Sequence, residues 1–362
     1  MNIGIIGGGQ LGWMMILEGR KLGYGFNCID SDFSKPGVRI ADRGYAYDQY
    51  RDFVDSSDIV TYEFEHVDDR VLEYADSCGK LRPGMLPIKL KRDRSLEKEF
   101  LQDAGLPVAP FTVVNSLEEL RKASWAYNRS IAKSAIGGYD GKGQYPVSPG
   151  MIPEGMPHGK YVLEEFVDFS EEASVIASRD IHGKMAFHTA SLNVNMNGML
   201  VYNIAPFHDK GMKDVSRKLL EKLDYTGVMG IEFFIRNGKP MINEFSPRVH
   251  NSGHHTLLGS SISQFEQHVR AIAGLPVPDP VLLSASGIVN IIGRALNKDL
   301  KNKILQIPGT QIYWYGKDNA KKRRKVGHVN VVANSAGEVK ERIDELIGIL
   351  YGERILEFLE YS

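Results

Sequence analysis

Apolar and polar positions along this chain switch between two periods, and each switch marks an element. Asn2 to Ile6 is a short apolar run, Trp13 to Leu22 carries apolar residues at helical spacing, and Tyr24 to Ile29 returns to a strand pattern. Strand, helix, strand reads as one βαβ unit. Asp58 to Val67 is a strand running into a polar tip, and Asp68 to Cys78 follows as a helix. Arg82-Pro-Gly-Met-Leu-Pro87 reads as an interdomain passage. A charged helix starts at Arg92, and Gly105-Leu-Pro-Val-Ala-Pro110 ends it. Further strands are expected around Lys133, over Lys160–Val167, from Glu171, over Val228–Ile235 and from Met241, and a last segment runs from Ser286-Gly-Ile-Val-Asn-Ile-Ile292 to the C-terminus. Asn193 to Leu200 reads as a polar crossover. Asp214 to Leu223 is an amphipathic helix, and Ser263 to Ile272 is another helix.

The strands Val228-Met-Gly-Ile-Glu-Phe-Phe-Ile235 and Met241-Ile-Asn-Glu-Phe245 each embed an acid, Glu232 and Glu244, in an apolar run. Arg236-Asn-Gly-Lys-Pro240 between them is a hairpin turn signal. Side chains alternate along strands, so the turn's parity decides whether the acids share a face. A two-residue turn at Asn237-Gly238 pairs Glu232 with Asn243 and sends Glu244 to the other side. A three-residue loop, Arg236 to Gly238 with Gly238 left-handed, pairs Ile235 with Lys239 and puts both acids on one face; this is the expectation. Two adjacent carboxylates repel unless a cation lies between them. Mg²⁺ shared with phosphates fits, because it takes oxygen ligands and needs few from the protein. The alternative is an amphipathic hairpin with solvent-facing acids, and Phe233, Phe234, Ile242 and Phe245 argue against it.

Two glycine-rich loops carry further chemistry. Gly7-Gly-Gly-Gln-Leu-Gly12 with Asp30 satisfies the dinucleotide spacing. That pattern alone is weak, since glycines there let any phosphate, or simply the helix, approach the strand end. In the second loop, Lys133 precedes Gly137-Gly-Tyr-Asp-Gly-Lys-Gly-Gln144. Exposed N–H groups in such a loop make a nest for phosphate oxygens, to which Lys133 and Lys142 add charge. The G-K-[ST] ending of a Walker loop is absent, so a mobile flap over a nucleotide is the reading, against a plain flexible hairpin tip. Glu63, Glu65 and His66 stand where open α/β sheets bind ligands and are candidates for a substrate amine or hydroxyl; the alternative is that they cap the next helix. Arg248 and Asn251 read as anion and amide contacts. The histidines His250, His254, His255 and His268 lack zinc-ligand spacing.

Composition narrows the class. The 362 residues allow two or three domains. Lys+Arg 44 against Asp+Glu 45 gives a net charge of -1, which excludes a global basic field for nucleic acid or membrane. The bases Lys321 to Lys325 read as a solvated run or as a grip on one phosphate monoester. Two cysteines, Cys28 and Cys78, make neither a disulfide scaffold nor a zinc site, and fit a reducing, cytoplasmic setting.

The order of these motifs resembles the N5-carboxyaminoimidazole ribonucleotide synthetases, ATP-grasp enzymes of purine biosynthesis. The residues concerned are Gly7–Gly12, Thr61-Tyr-Glu-Phe-Glu65, Asp93-Arg94, Gly137–Gln144, Asn243-Glu244, Pro247-Arg248, His250-Asn-Ser-Gly-His254, Arg324-Lys325 and Gly327-His328. The resemblance implies an α/β and α+β fold in four parts: a Rossmann-like domain over 1–88, ATP-grasp subdomains over 89–172 and 173–275, and a small β-rich C-terminal domain over 276–362. It implies ATP-dependent carboxylation of 5-aminoimidazole ribonucleotide by bicarbonate, through carboxyphosphate or CO₂ released from it, with Mg²⁺ and a cytoplasmic homodimer. ATP would be held by Arg94, Lys133, Gly138, Tyr139, Asp140, Gly141, Lys142, Gly143, Gln144, Glu164, Glu165, Phe166, Val167, Glu172, Asn195, Asn243 and Glu244. The metal would take Glu232 and Glu244. Gly9, Gln10, Leu11, Glu63, Glu65, Tyr139, Asp140, Arg248, Asn251, Ser252 and Lys325 would line the substrate, and Lys317 and Arg324 would bind its 5′-phosphate. Arg248, Asp140 and Lys133 would act in catalysis. Departures are Trp13 for the usual Arg, Asn195 for His, Val249 for Pro, Phe245-Ser246 for Ile-Ala and Arg92 for Gln. Competing readings are another ATP-grasp ligase such as formate-dependent glycinamide ribonucleotide transformylase or a biotin carboxylase-like enzyme, a Rossmann NAD(P) oxidoreductase, and an RNA-binding protein.

Overall fold

The computed structural model describes residues 1–138, 142–317 and 320–360; the expectations for Tyr139, Asp140 and Gly141 fall outside them. Three sheets carry the molecule. The first is parallel, in order β3-β2-β1-β4, from β1 (Asn2–Ile6), β2 (Gly25–Ile29), β3 (Arg43–Tyr45) and β4 (Ile59–Tyr62). The helix Gln10–Arg20 follows β1, so the expected βαβ unit is present. The second sheet is antiparallel, in order β5-β8-β6-β7, from β5 (Phe111–Val114), β6 (Ser130–Ser134), β7 (Gln144–Val147) and β8 (Tyr161–Glu165).

The third sheet has nine strands: β9 (Glu171–Arg179), β10 (Met185–Phe187), β11 (Ser191–Met196), β12 (Met199–Ala205), β13 (Gly227–Arg236), β14 (Lys239–Ser246), β15 (Ala285–Ile292), β16 (Thr310–Trp314) and β17 (Lys325–Ala333). Its path runs β14-β13-β9-β11-β12-β15-β17-β16, with β10 on β9. The sheet does not stop near residue 275. The C-terminal strands extend it through the β12–β15 pairing, and the helix Ala336–Tyr351 covers them with its own core.

Alternation along the strands assigns the two faces of this sheet. Ala173, Val175 and Ala177 of β9 and Met229, Ile231, Phe233 and Ile235 of β13 pack against Leu101, Met212, Leu219 and Leu220. Ile176 and Val228 face the other way. They meet Phe265, Val269 and Ile272 of the helix Gln264–Ala273, and through it Ile3, Ile5, Met14 and Met15 of the N-terminal domain. That shared core fixes the first sheet against the third, leaving a cleft between their ends. Trp13 packs edge-on to Tyr313, at 6.3 Å between ring centres.

Three local expectations are corrected. The turn after β13 has two residues, not three. Arg236 pairs Lys239, with Asn237 at φ 51° and Gly238 at φ 73°, the mirror-image turn that matches strand twist. The acids still pair, Glu232 opposite Glu244, because a β-bulge at Asn243 supplies the missing residue. Asn193 to Leu200 is not a crossover. It is the hairpin of β11 and β12, turning at Asn197 (φ 49°) and Gly198 (φ 72°). Arg92 ends the helix Met85–Arg92 rather than starting one. The next helix, Arg94–Asp103, is capped by Asp93, whose carboxylate accepts from Ser95 N at 2.9 Å.

Candidate active site

The bulge is the local device that builds the site. Ile242 and Phe245 both face the core, three residues apart, which strict alternation forbids. The extra residue, Asn243, resolves the conflict and leaves Glu244 on the cleft face beside Glu232. Lys98 Nζ satisfies the Asn243 carbonyl at 3.0 Å, and Glu97 accepts from Phe245 N at 3.0 Å. Both side chains come from the helix Arg94–Asp103 and are buried. Lys98 also meets Glu164 at 3.1 Å, and Glu164 holds Lys133 at 3.0 Å. Lys133 Nζ lies 3.4 Å from Asn243 Oδ1.

A cavity of about 260 Å³ opens on this layer. Its walls include Arg94, Lys133, Gln144, Glu164, Glu165, Phe166, Val167, Glu172, Asn195, Glu232, Asn243 and Glu244. Asn195 donates to the Glu172 carboxylate. Burial pushes the Lys133 ammonium down although Glu164 opposes it, and Lys98 and Arg94 push the same way. Burial also works against charge on Glu164, yet Lys133 and Lys98 hold its carboxyl down at about 2. Around Lys133 itself the three cations Lys133, Lys98 and Arg94 outnumber Glu164, which suits a polyanionic ligand. The acid pair shows the complementary imbalance. Burial, then the Glu244 and Glu172 carboxylates, pushes Glu232 up. Glu244 stays well below the usual carboxylate range against its own burial, chiefly through Lys91, whose Nζ is 2.6 Å away. Among the described residues no group of three His, Cys, Asp or Glu gathers as a metal site. Two facing carboxylates of opposite shift suit a cation that takes its other ligands from phosphate and water.

A second cavity, about 880 Å³, lies between the first and third sheets. It brings together Gly9, Gln10, Leu11, Glu63, Glu65, Arg248, Asn251, Lys317, Arg324 and Lys325. Gly138 lines it too, and Glu244, His250, Asn251 and Lys325 line both cavities. Arg248 lies along Glu65, Nη2 to Oε2 at 3.1 Å and Nε to Oε1 at 3.0 Å. Lys317 Nζ donates to Gln10 Oε1 at 3.0 Å. Burial, then Arg324, pushes Lys317 down to about 8. His250 is held neutral, at about 3, by burial and Arg248.

The glycine loop after β1 is already occupied by the protein's own anion. The Glu63 carboxylate accepts from Gly9 N and, at 2.7 Å, from Gly12 N. It caps the helix Gln10–Arg20, whose N-cap residue Gly9 has no side chain to do so. A Cβ on Gly9 would lie 2.6 Å from Glu63 Oε1, so a side chain there would push the carboxylate off the loop. Asp30 is engaged by Gly8 N at 2.8 Å and Lys35 at 2.8 Å. The dinucleotide reading fails on these contacts, and Glu63 is a loop anchor rather than a free substrate contact.

Other expected residues sit apart. Ser252 is buried behind His250, with Oγ 2.9 Å from Nδ1, and lines neither cavity. Lys142 and Gly143 also line neither. Glu164 meets the cavity with a carboxylate committed to Lys98 and Lys133. The bases from Lys321 to Lys325 divide: Arg324 and Lys325 face the second cavity, while Arg323 bonds the Leu359 carbonyl. His254, His255 and His268 pair with Gln264, Ser286 and Thr61. Lys91, Glu97 and Lys98 were not anticipated as site residues. Their signal is charge on an inward face: Glu97, Lys98 and Leu101 share one buried helix stripe.

Residues 1–85 match the ribonucleotide synthetase preATP-grasp domain, 99–265 the ATP-grasp domain, and 286–342 the phosphoribosylaminoimidazole carboxylase C-terminal domain. The chain is 45% identical to an N5-carboxyaminoimidazole ribonucleotide synthase of Saccharolobus solfataricus, over 97% of this chain and 96% of that one. It is 42% identical to the enzyme of that name from Aquifex aeolicus, over 98% of each. Among solved structures, the phosphoribosylaminoimidazole carboxylase ATPase subunit of Aquifex aeolicus aligns at a TM-score of 0.85 and 41% identity, covering 97% of this chain and 100% of that one. An N5-carboxyaminoimidazole synthase from Aspergillus clavatus, solved with ADP and 5-aminoimidazole ribonucleotide, aligns at 0.86 and 27% identity, covering 96% and 98%.

The Lys98–Glu164–Lys133 layer has a pH signature. The Glu164 carboxyl is depressed on folding, so its contribution is present above the unfolded value near 4.5 and is lost as pH falls towards about 2. Glu164→Gln should cost about 3 kcal/mol near neutrality, since two buried ammonium groups lose their partner. Urea unfolding of both proteins across that range should show the gap closing on acidification. A gap independent of pH would contradict the assignment.

Proposed function

The chain belongs to the N5-carboxyaminoimidazole ribonucleotide synthase family, and from that premise we propose how its two cavities divide one reaction. It is an ATP-dependent C–N ligase of purine biosynthesis. It carboxylates 5-aminoimidazole ribonucleotide with bicarbonate, giving the N5-carboxy product, ADP and phosphate by way of carboxyphosphate. One observation carries the division of labour: the two cavities share the wall formed by Glu244, His250, Asn251 and Lys325.

ATP belongs to the smaller cavity. The segment Glu165 to Val167 offers backbone groups to adenine, and Glu172, oriented by Asn195, offers a carboxylate to the ribose. Lys133, Arg94 and Gln144 of the smaller cavity are assigned to the phosphates, and the glycine-rich segment between Gly138 and Gln144 is assigned to them as well on its composition. Glu232 and Glu244, with Asn243 alongside, fit Mg²⁺, which when bound supplies charge neutralisation at the phosphate oxygens.

The ribonucleotide belongs to the larger cavity. Lys317, Arg324 and Lys325 converge on its 5′-phosphate, with Gln10 orienting Lys317. Arg248, braced by Glu65, binds and orients bicarbonate beside the shared wall. The γ-phosphoryl group passes to a bicarbonate oxygen and ADP leaves. The exocyclic amine then attacks the carboxyl carbon, a C–N bond forms, and the C–O bond to phosphate breaks. We assign the amine proton to Glu65, which lines this cavity, or to Asp140. The enzyme is proposed to work in the cytoplasm as a homodimer. Cys28 and Cys78 are free thiols, and Val281 and Leu283 present an exposed apolar edge for a second copy. No helix among the described residues is long and apolar enough to cross a membrane. Sedimentation velocity giving only monomer at micromolar protein would remove the dimer.

ADP release should require ATP, Mg²⁺, bicarbonate and 5-aminoimidazole ribonucleotide together. Release with glycinamide ribonucleotide and formate in place of the last two would instead favour the transformylase reading. Lys317 gives a second test. Its ammonium is charged below about 8 and neutral above. Ribonucleotide affinity should therefore fall as pH rises from about 8 to about 10, roughly tenfold per unit at the upper end. Lys317→Ala should bind more weakly by tenfold or more, on the order of one charged hydrogen bond, and lose that pH dependence. Equal pH profiles for the two proteins would place the phosphate elsewhere.

A further inference from the structure

Lys91 stands outside the roles assigned so far. It comes from the last turn of the helix Met85–Arg92, not from the ATP-grasp sheets. Its ammonium lies 2.6 Å from Glu244 Oε2 and 3.6 Å from Glu97 Oε2, and its side chain is 14% exposed. Glu97 is itself fixed, accepting from Phe245 N at 3.0 Å. Lys91 therefore bridges a carboxylate that cannot move to one that faces the cleft. It lines the larger cavity together with Glu65, Arg248 and Glu244, on the side where that cavity meets the smaller one.

A lysine in this position neutralises the acid pair while the metal is away. Two cations cannot both sit on one carboxylate oxygen at contact distance without strong repulsion. Something has to give when a divalent ion takes Glu244, and Lys91 is the mobile partner because its stem is flexible and its charge is compact. The nearest open volume is the substrate cavity that it already lines.

We propose that Lys91 is a metal-displaced cation: it occupies Glu244 in the metal-free enzyme, and the metal releases it into the substrate cavity, where it joins Arg248 in binding bicarbonate. The anion site is thus completed only once the metal is in place. Lys91 is a positioning residue for Glu244 in the first state and an anion contact in the second. This inference rests on the assignment of Glu232 and Glu244 to the metal.

The test has two readouts. Mn²⁺ binding to the nucleotide-free protein, followed by electron paramagnetic resonance, measures the competition without turnover. Lys91→Met should bind Mn²⁺ about tenfold more tightly than wild type, because a competing cation is gone. Lys91→Arg, which keeps the charge, should restore weak binding. In steady state Lys91→Met should raise KM for bicarbonate by tenfold or more, on the order of a charged hydrogen bond, with KM for ATP little changed. Lys91→Met/Glu97→Gln keeps the buried pair neutral and its hydrogen bond to Phe245, and should give the same two shifts if the single variant folds poorly. Unchanged or weaker Mn²⁺ binding, or an unchanged KM for bicarbonate, overturns the proposal. Glu244→Gln separates the two layers of inference. If it binds Mn²⁺ as wild type does, the metal assignment falls and Lys91 with it. If it loses Mn²⁺ while Lys91→Met matches wild type, the Lys91 proposal alone falls.

Discussion

A parity constraint on one strand governs the site. Ile242 and Phe245 must both enter the core, yet Glu244 between them must face the cleft opposite Glu232. A regular strand cannot do this, and the bulge at Asn243 can. The bulge leaves its carbonyl and a neighbouring N–H to be satisfied. Lys98 and Glu97, side by side on the helix Arg94–Asp103, take those two groups. Burying such charges is expensive unless each is paired. The pairing continues outward, from Lys98 to Glu164 and Lys133, and from Glu97 to Lys91 and Glu244. One irregular residue thereby ties the acid pair, Lys133 and two helices into a single buried layer.

The electrostatics of the cleft follow from that layer. Cations are in excess around Lys133 and again around Lys317, where burial and neighbouring positive charge push both ammonium groups down. Between them lies the acid pair. Two anion-hungry regions separated by a pair of carboxylates fit a nucleotide triphosphate at one end and a phosphate monoester at the other, with a divalent ion between. The glycine loop after β1 takes no part as a phosphate nest, because Glu63 fills it from within. The Rossmann-like domain keeps its topology while giving the larger cavity a wall instead of a dinucleotide site.

Much of this was legible in the sequence, and what was missed has physical causes. The βαβ start, the Lys133 strand and the amphipathic helices follow from period and turn chemistry. The shared face of Glu232 and Glu244 was also readable, because unpaired acids on apolar strands demand a partner. The route to it was not: Asn237-Gly238 makes an ordinary two-residue turn, and the parity change hides in Asn243. The spacing of Ile242 and Phe245 was the available clue. Asn197-Gly198 closes a second hairpin where polarity alone suggested a crossover. Lys91, Glu97 and Lys98 were masked by their charge, which reads as a solvated surface until tertiary pairing is known. Glu63 was placed at the cleft, but the backbone N–H groups that claim it belong to another strand's loop, beyond any local pattern.

The central claim is that the shared wall at Glu244 lets ATP act on bicarbonate before the ribonucleotide amine attacks. Turnover with ¹⁸O-labelled bicarbonate in unlabelled water tests it most directly. The released phosphate should carry an ¹⁸O atom from bicarbonate, because the phosphoryl group was joined to a bicarbonate oxygen and left with it. Phosphate holding no label would mean that the phosphoryl group never reached bicarbonate, and would contradict the account.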